Sequence, residues 1–140
     1  MTEQRSHHDR GVAAPSLLVA EDEKLVRDMV VRALSEEGFS IVAADNGREA
    51  LDHVRRTGMT PDLLLTDVIM PVMGGWDLAA AMKDIQPDLP VIYMSGYAGL
   101  DMEVRGLIPN GAPFLQKPFS TARLIEIVET YLPGKAGNRE

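Results

Sequence analysis

Five side chains that could do chemistry are scattered along this chain, each at the end of a short apolar run. Asp67 closes LLLTD, Glu21 and Asp22 follow SLLVA, Ser95 closes VIYMS, and Lys117 follows PFLQ. Taken singly, each has a structural reading. An aspartate opens a turn, a Glu-Asp pair before a helix caps it and complements its dipole, a serine before glycine turns the chain, and a lone lysine is solvated. Brought together, they make three carboxylates, a hydroxyl and an ammonium. Carboxylates that close repel one another and raise one or more pKa values, unless a hard divalent cation sits among them. Oxygen ligands at an open, water-accessible edge suit Mg2+, which keeps several waters and accepts a phosphate oxygen. Such a site is built for a phosphoryl group. A carboxylate can attack phosphorus to give an aspartyl phosphate, with Lys117 neutralising one equatorial oxygen and the Ser95 hydroxyl donating to another.

What has to position these residues is an alternation of strand-length apolar runs and helical patterns. Ser16–Ala20, Ser40–Ala44, Leu63–Asp67, Val91–Ser95 and the short Pro113–Gln116 read as strands. Val26, Met29, Val30, Ala33 and Leu34 recur at helical spacing before Gly38, and Ala50, Leu51 and Val54 mark a second helix that ends near Gly58. Leu78, Met82 and Ile85 follow Gly74-Gly75 and are closed by Pro87. Between Gly96 and Gly111 only Leu100–Leu107 reads as a helix. The last helix carries Leu124, Ile125, Val128, Tyr131 and Leu132 behind an N-cap at Ser120. Strict alternation predicts parallel strands covered on both faces and joined by right-handed crossovers, a doubly wound α/β sheet. Ligands of such sheets bind outside the carboxyl ends of the strands, which is where the five residues fall.

The chain has 140 residues, enough for one domain, with 45% hydrophobic and 25% charged residues and a formal net charge of −7. That balance argues against a nucleic-acid surface. Without cysteine there is neither a disulfide nor a thiolate metal site. No apolar run has the length of a bilayer span and the N-terminus lacks a signal-peptide core, so the expectation is a cytoplasmic protein. Residues 1–15 read as a flexible leader, in which His7 and His8 are solvated rather than metal ligands, and 133–140 as a flexible tail.

LLVAEDE, LLLTDVIMPVMGGWDL, VIYMSGYA and FLQKPF closely resemble the four signature segments of response-regulator receiver domains, the phosphorylated partners of sensor histidine kinases. The resemblance covers residues 16–132. It implies a flavodoxin-like parallel sheet of five strands in the order 2-1-3-4-5 with five helices, an order for which the family is a standard example. It implies that Asp67 is the phosphoacceptor, that Glu21, Asp22, Asp67 and the main-chain carbonyl of Ile69 bind Mg2+, and that Ser95 is the switch hydroxyl. It further implies that Lys117 is the active-site lysine, that Phe114 is the aromatic that changes rotamer on activation, and that the peptide bond before Pro118 is cis. The resemblance also implies that Ile69 and Tyr97 occupy the two rim positions that govern loss of the phosphoryl group. The implied partners are a histidine kinase or a histidine phosphotransfer protein on one side. On the other is a downstream protein met through the fourth helix, fifth strand and fifth helix, without direct contact to nucleic acid or membrane. Three residues depart from the family's usual pattern. Glu21 stands in place of an aspartate and Ser95 in place of a threonine, and Gly74 stands where an acidic residue often caps the third helix.

Competing chemistries lack parts. A haloacid-dehalogenase-type phosphohydrolase needs a second aspartate two residues after the nucleophile, where this chain has Ile69. Neither GxxxxGK[ST] nor GxGxxG is present. The remaining alternatives are a receiver excised from a hybrid histidine kinase and a phosphorylation-independent docking module. A docking module would lack the phosphoacceptor or the lysine, and the chain has both. The expected output is protein contact rather than enzymatic turnover.

Overall fold

The computed structural model describes residues 14–132. The readings of His7 and His8, of residues 1–13 and of the tail lie outside the described residues. Strands β1 (Ser16–Ala20), β2 (Ser40–Ala44), β3 (Leu63–Asp67), β4 (Val91–Ser95) and β5 (Phe114–Gln116) alternate with helices α1 (Lys24–Glu36), α2 (Gly47–Thr57), α3 (Gly75–Ile85), α4 (Gly99–Val104) and α5 (Thr121–Tyr131). The strands form one parallel sheet in the order β2-β1-β3-β4-β5. The expected fold class is the observed one.

Side-chain alternation along β3 explains why its sequence is apolar throughout. Leu63 and Leu65 pack with Val30 and Leu34 of α1 and Leu124 and Val128 of α5, whereas Leu64 packs with Leu51 of α2 and Leu78 and Met82 of α3. Both faces are covered, so no position faces water. Full burial of each such leucine contributes roughly 1.5–3 kcal/mol relative to exposure. The switch of order at β1 and β3 opens a crevice at their carboxyl ends.

Turn and cap chemistry sets the boundaries. The Asn46 side chain accepts a hydrogen bond from the Glu49 amide at α2, and Gly58 ends that helix in the left-handed region at φ 74°. At α5 the Ser120 hydroxyl accepts from the Arg123 amide, as the sequence predicts. Gly74 caps α3 without any side-chain bond, the consequence of the missing acidic residue.

Three expectations need correction. The fourth helix ends at Val104, not Leu107, because Gly106 turns left-handed at φ 71° and its amide bonds back to the Glu103 carbonyl. Strand β5 begins at Phe114 rather than Pro113: proline brings no amide to the ladder, although its carbonyl still accepts from Tyr93. On α5, Ile127 belongs to the buried stripe with Leu124, Val128 and Leu132, while Ile125 is half-buried and Tyr131 exposed. The 3.6-residue period alone leaves the edge of the stripe open by one position.

Candidate functional site

At the tip of β1, the amide of Glu21 extends the ladder by donating to the Ala44 carbonyl at 3.0 Å, which carries the residue into the interior. Its side chain is fully buried, with Oε2 accepting from the Glu23 amide at 3.0 Å. Its own carbonyl accepts from Nη1 of Arg27, one turn into α1, at 2.9 Å. Asp22, next in sequence, is exposed at the mouth.

The tip of β3 is locked by the loop that follows it. Asp67 is buried; its Oδ1 accepts from the Val68 amide at 3.1 Å, and the Thr66 hydroxyl donates to its carbonyl at 2.9 Å. The Gly75 amide donates to the Val68 carbonyl at 2.9 Å, and this draws α3 so close that a Cβ on Gly75 would overlap the Asp67 carbonyl. The glycine is required by the fit of helix against strand tip. Val72 in the same loop has φ 70°, a strained conformation for an exposed β-branched residue.

Ser95 ends β4 one position beyond the Asp67–Met94 register pair and is buried. Its Oγ accepts from the Tyr97 amide at 3.1 Å, and its carbonyl accepts from the Lys117 amide at 2.8 Å, which fixes the end of β5 to the end of β4. The Lys117–Pro118 bond is cis. From there Lys117 Nζ reaches Asp67 Oδ2 at 3.2 Å, Glu23 Oε1 at 3.1 Å and Glu21 Oε1 at 2.8 Å. The first two are hydrogen bonds. The third is a close ion pair without hydrogen-bond geometry, so Glu21 Oε1 stays a buried oxygen with no hydrogen-bond partner.

Carboxylate oxygens of Glu21, Asp22 and Asp67 lie within 4.8 Å of one another. Burial, and after it the neighbouring Glu21 charge, push the Asp67 carboxyl up to about 7 against the opposing pull of Lys117. Burial alone would lower the Lys117 ammonium, but Glu21, Asp67 and Glu23 outweigh it and hold the lysine charged. Three crowded carboxyl groups, with one ammonium to offset them, and an all-oxygen ligand set fit a hard divalent cation.

Of the residues singled out from the sequence, Glu21, Asp22, Asp67 and Lys117 meet directly, and Ser95 adjoins them through the backbone of Lys117. Ile69 and Tyr97 are 54% and 59% exposed on the loops beyond β3 and β4. Phe114 stands apart: it is half-buried, and its ring packs so near Gly99 of α4 that a Cβ there would sit 3.0 Å from Cδ2. Sequence reasoning missed Glu23 and Arg27. The signal for Glu23 was its place as the third acid in a row, which reads as a helix start until Lys117 arrives from the far end of the chain.

Residues 17–129 match the response regulator receiver domain family. The response regulator receiver protein CpdR of Brucella abortus (strain 2308) is 34% identical over 116 residues, covering 83% of this chain and 95% of that protein. The transcriptional regulatory protein CusR of Escherichia coli (strain K12) is 32% identical over 116 residues, and there the chain spans only 50% of its relative. Among solved structures, a response regulator receiver protein from Sinorhizobium medicae WSM419 superposes with a TM-score of 0.76 at 30% identity, over 87% of this chain and 97% of the other.

Proposed function

This chain belongs to the response regulator receiver domain family, and from that premise we propose that Asp67 is its phosphoacceptor, served by Glu21, Asp22, Ser95, Lys117 and Mg2+. The family supports the coarse reading without further argument: the domain is a self-contained phosphotransfer and signalling module in a two-component system, partnered by a histidine kinase or phosphotransfer protein, and not an enzyme with a separate turnover substrate. The observation that carries the residue-level reading is the meeting of Lys117 with buried Asp67 inside the acidic group.

Residues from four strand tips divide the work. Asp67 supplies the nucleophilic oxygen, with Oδ1 steadied by the Val68 amide and Oδ2 by Lys117. Loss of its proton is required before attack, which its raised pKa of about 7 resists until an opposing charge is present. Glu21, Asp22, Asp67 and the Ile69 carbonyl would hold Mg2+, whose charge offsets that of the carboxylates and of the phosphoryl oxygens. Lys117 stays protonated and takes one phosphoryl oxygen. The Ser95 hydroxyl already accepts from Tyr97, and its proton is left to donate to another.

For output, a downstream protein met through α4, β5 and α5 agrees with the placement of Phe114, which links β5 to α4 through its contact with Gly99. Within α4 only Met102 is buried while Leu100 and Val104 are exposed, the sparse anchoring that such switching needs. Among the described residues no helix is long and apolar enough to cross a membrane; a cytoplasmic location, with a domain spanning residues 16–132, belongs to the same proposal.

Incubation with Mg2+ and acetyl phosphate should add one base-labile phosphoryl group by intact mass, and Asp67→Asn should abolish it. Undiminished labelling of the variant overturns the assignment.

A further inference from the structure

Glu23 is placed unlike the other acids at the site. It is the N-cap residue of α1, yet its side chain makes no cap bond. Instead it reaches Lys117 Nζ at 3.1 Å, with 62% of the side chain exposed at the mouth. Its backbone amide meanwhile holds Glu21 Oε2. Lys117 thus has a carboxylate oxygen of Glu21, Glu23 and Asp67 within ion-pair distance. Two of the ammonium's three N–H donors are taken by Glu23 and Asp67, and Glu21 crowds it at 2.8 Å, so a phosphoryl oxygen arriving on Asp67 competes with these partners for Lys117. Glu21 and Asp67 are buried, and release of either leaves an uncompensated interior charge. Glu23 alone of the three is solvated, so its contact with Lys117 is the one released at least cost.

We infer that Glu23 is an electrostatic gate on phosphoryl entry: it occupies Lys117 in the resting state, repels anionic phosphodonors from the mouth, and lets go when the phosphoryl group arrives. This rests on the phosphoacceptor reading above. In the step concerned, an Asp67 oxygen forms a bond to phosphorus and the P–O bond to the acetyl group breaks. Acetate departs with the bonding pair, with no change of oxidation state. Glu23 touches neither reacting atom; it is a positioning residue acting through Lys117 and through its charge.

The test compares wild type, Glu23→Gln and Glu23→Asp with acetyl phosphate and with phosphoramidate, which carries less net negative charge, at low and high salt in Mg2+. Glu23→Gln should speed labelling by acetyl phosphate roughly three- to tenfold at low ionic strength. The gain should be smaller for phosphoramidate, and it should shrink toward unity near 1 M salt, where the screening length is about 3 Å. Glu23→Asp, which keeps the charge, should stay near wild type. In metal-free protein, the 13C-labelled ε-methylene of Lys117 should become more mobile in Glu23→Gln. Labelling indifferent to Glu23, or a gain equal for both donors and independent of salt, overturns the gate. A wild type that neither donor labels overturns the phosphoacceptor reading and the gate with it.

Discussion

The two ends of β3 carry an aspartate each and use it in opposite ways. At the amino end, Asp62 is exposed and its Oδ2 accepts from the Ser16 amide at 2.8 Å, fastening β3 to the start of β1. The Gln86 side chain closes the same end by donating to the Pro61 carbonyl at 3.0 Å. At the carboxyl end, Asp67 is buried against Glu21. Each end holds one buried side-chain oxygen without a hydrogen-bond partner, Gln86 Oε1 below and Glu21 Oε1 above. The lower one belongs to a neutral amide, at a cost of about 1–3 kcal/mol; the upper one belongs to a carboxyl group offset only by the Lys117 ammonium, which Glu23 and Asp67 share. One strand is thus anchored at one end and left electrostatically unfinished at the other, and the unfinished end is where a cation and a phosphoryl group have a use.

The sharpest test of that contrast is stability. In metal-free buffer Asp67→Asn should stabilise the fold by about 4 kcal/mol above pH 7. The sign follows from the raised carboxyl pKa. Between about 4 and about 7 the folded protein holds a proton that the unfolded chain has released, so wild-type stability falls as pH rises through that window and is level above it. The advantage of the variant should therefore fade toward pH 4. Urea unfolding at a series of pH values measures it, and a variant less stable than wild type at pH 8 breaks the contrast.

Next in size is the lifetime of the phosphoryl group. Hydrolysis needs a water held in line with the leaving carboxylate, and exposed Ile69 offers no hydrogen bond, while Tyr97 is bulky enough to shield the site. Ile69→Asn should speed phosphoryl loss about tenfold, or about 1.4 kcal/mol of barrier, in a time course after donor removal. A variant that decays no faster shows that Ile69 does not limit access of water to the phosphoryl group.

At the anchored end, Asp62→Ala should cost about 1 kcal/mol through the lost bond to Ser16, with labelling unchanged. Chemical denaturation and intact mass read the two halves of that expectation. If labelling falls with it, the two ends are not independent.

The smallest effect concerns strain near the site. Val72 at φ 70° carries a left-handed cost of about 1–2 kcal/mol, against which glycine loses about 0.5–1 kcal/mol of backbone entropy. Val72→Gly should gain about 0.5 kcal/mol by urea unfolding, and a loss of stability there means that the loop is not strained.

Much of this molecule is legible in the sequence because its causes are local. Apolar runs such as LLLTD specify strands buried on both faces, and Gly58, Asn46 and Ser120 mark helix ends through backbone geometry and side-chain bonds within a few residues. Alternation of the two patterns implies a parallel doubly wound sheet, and that alone places Glu21, Asp22, Asp67, Ser95 and Lys117 at one edge. The outcome at marginal positions depended on neighbours: α4 stopped at Val104 once Gly106 turned left-handed, and Ile127 displaced Ile125 and Tyr131 from the buried stripe of α5. Only the tertiary structure decided which carboxylates Lys117 touches. Glu23 and Lys117 are 94 positions apart, and nothing short of the folded sheet brings them within 3.1 Å. The same holds for the burial of Glu21 beside Asp67 and the exposure of Asp22. Charge is written in the sequence, but its consequences depend on distance and solvent, and those exist only after folding.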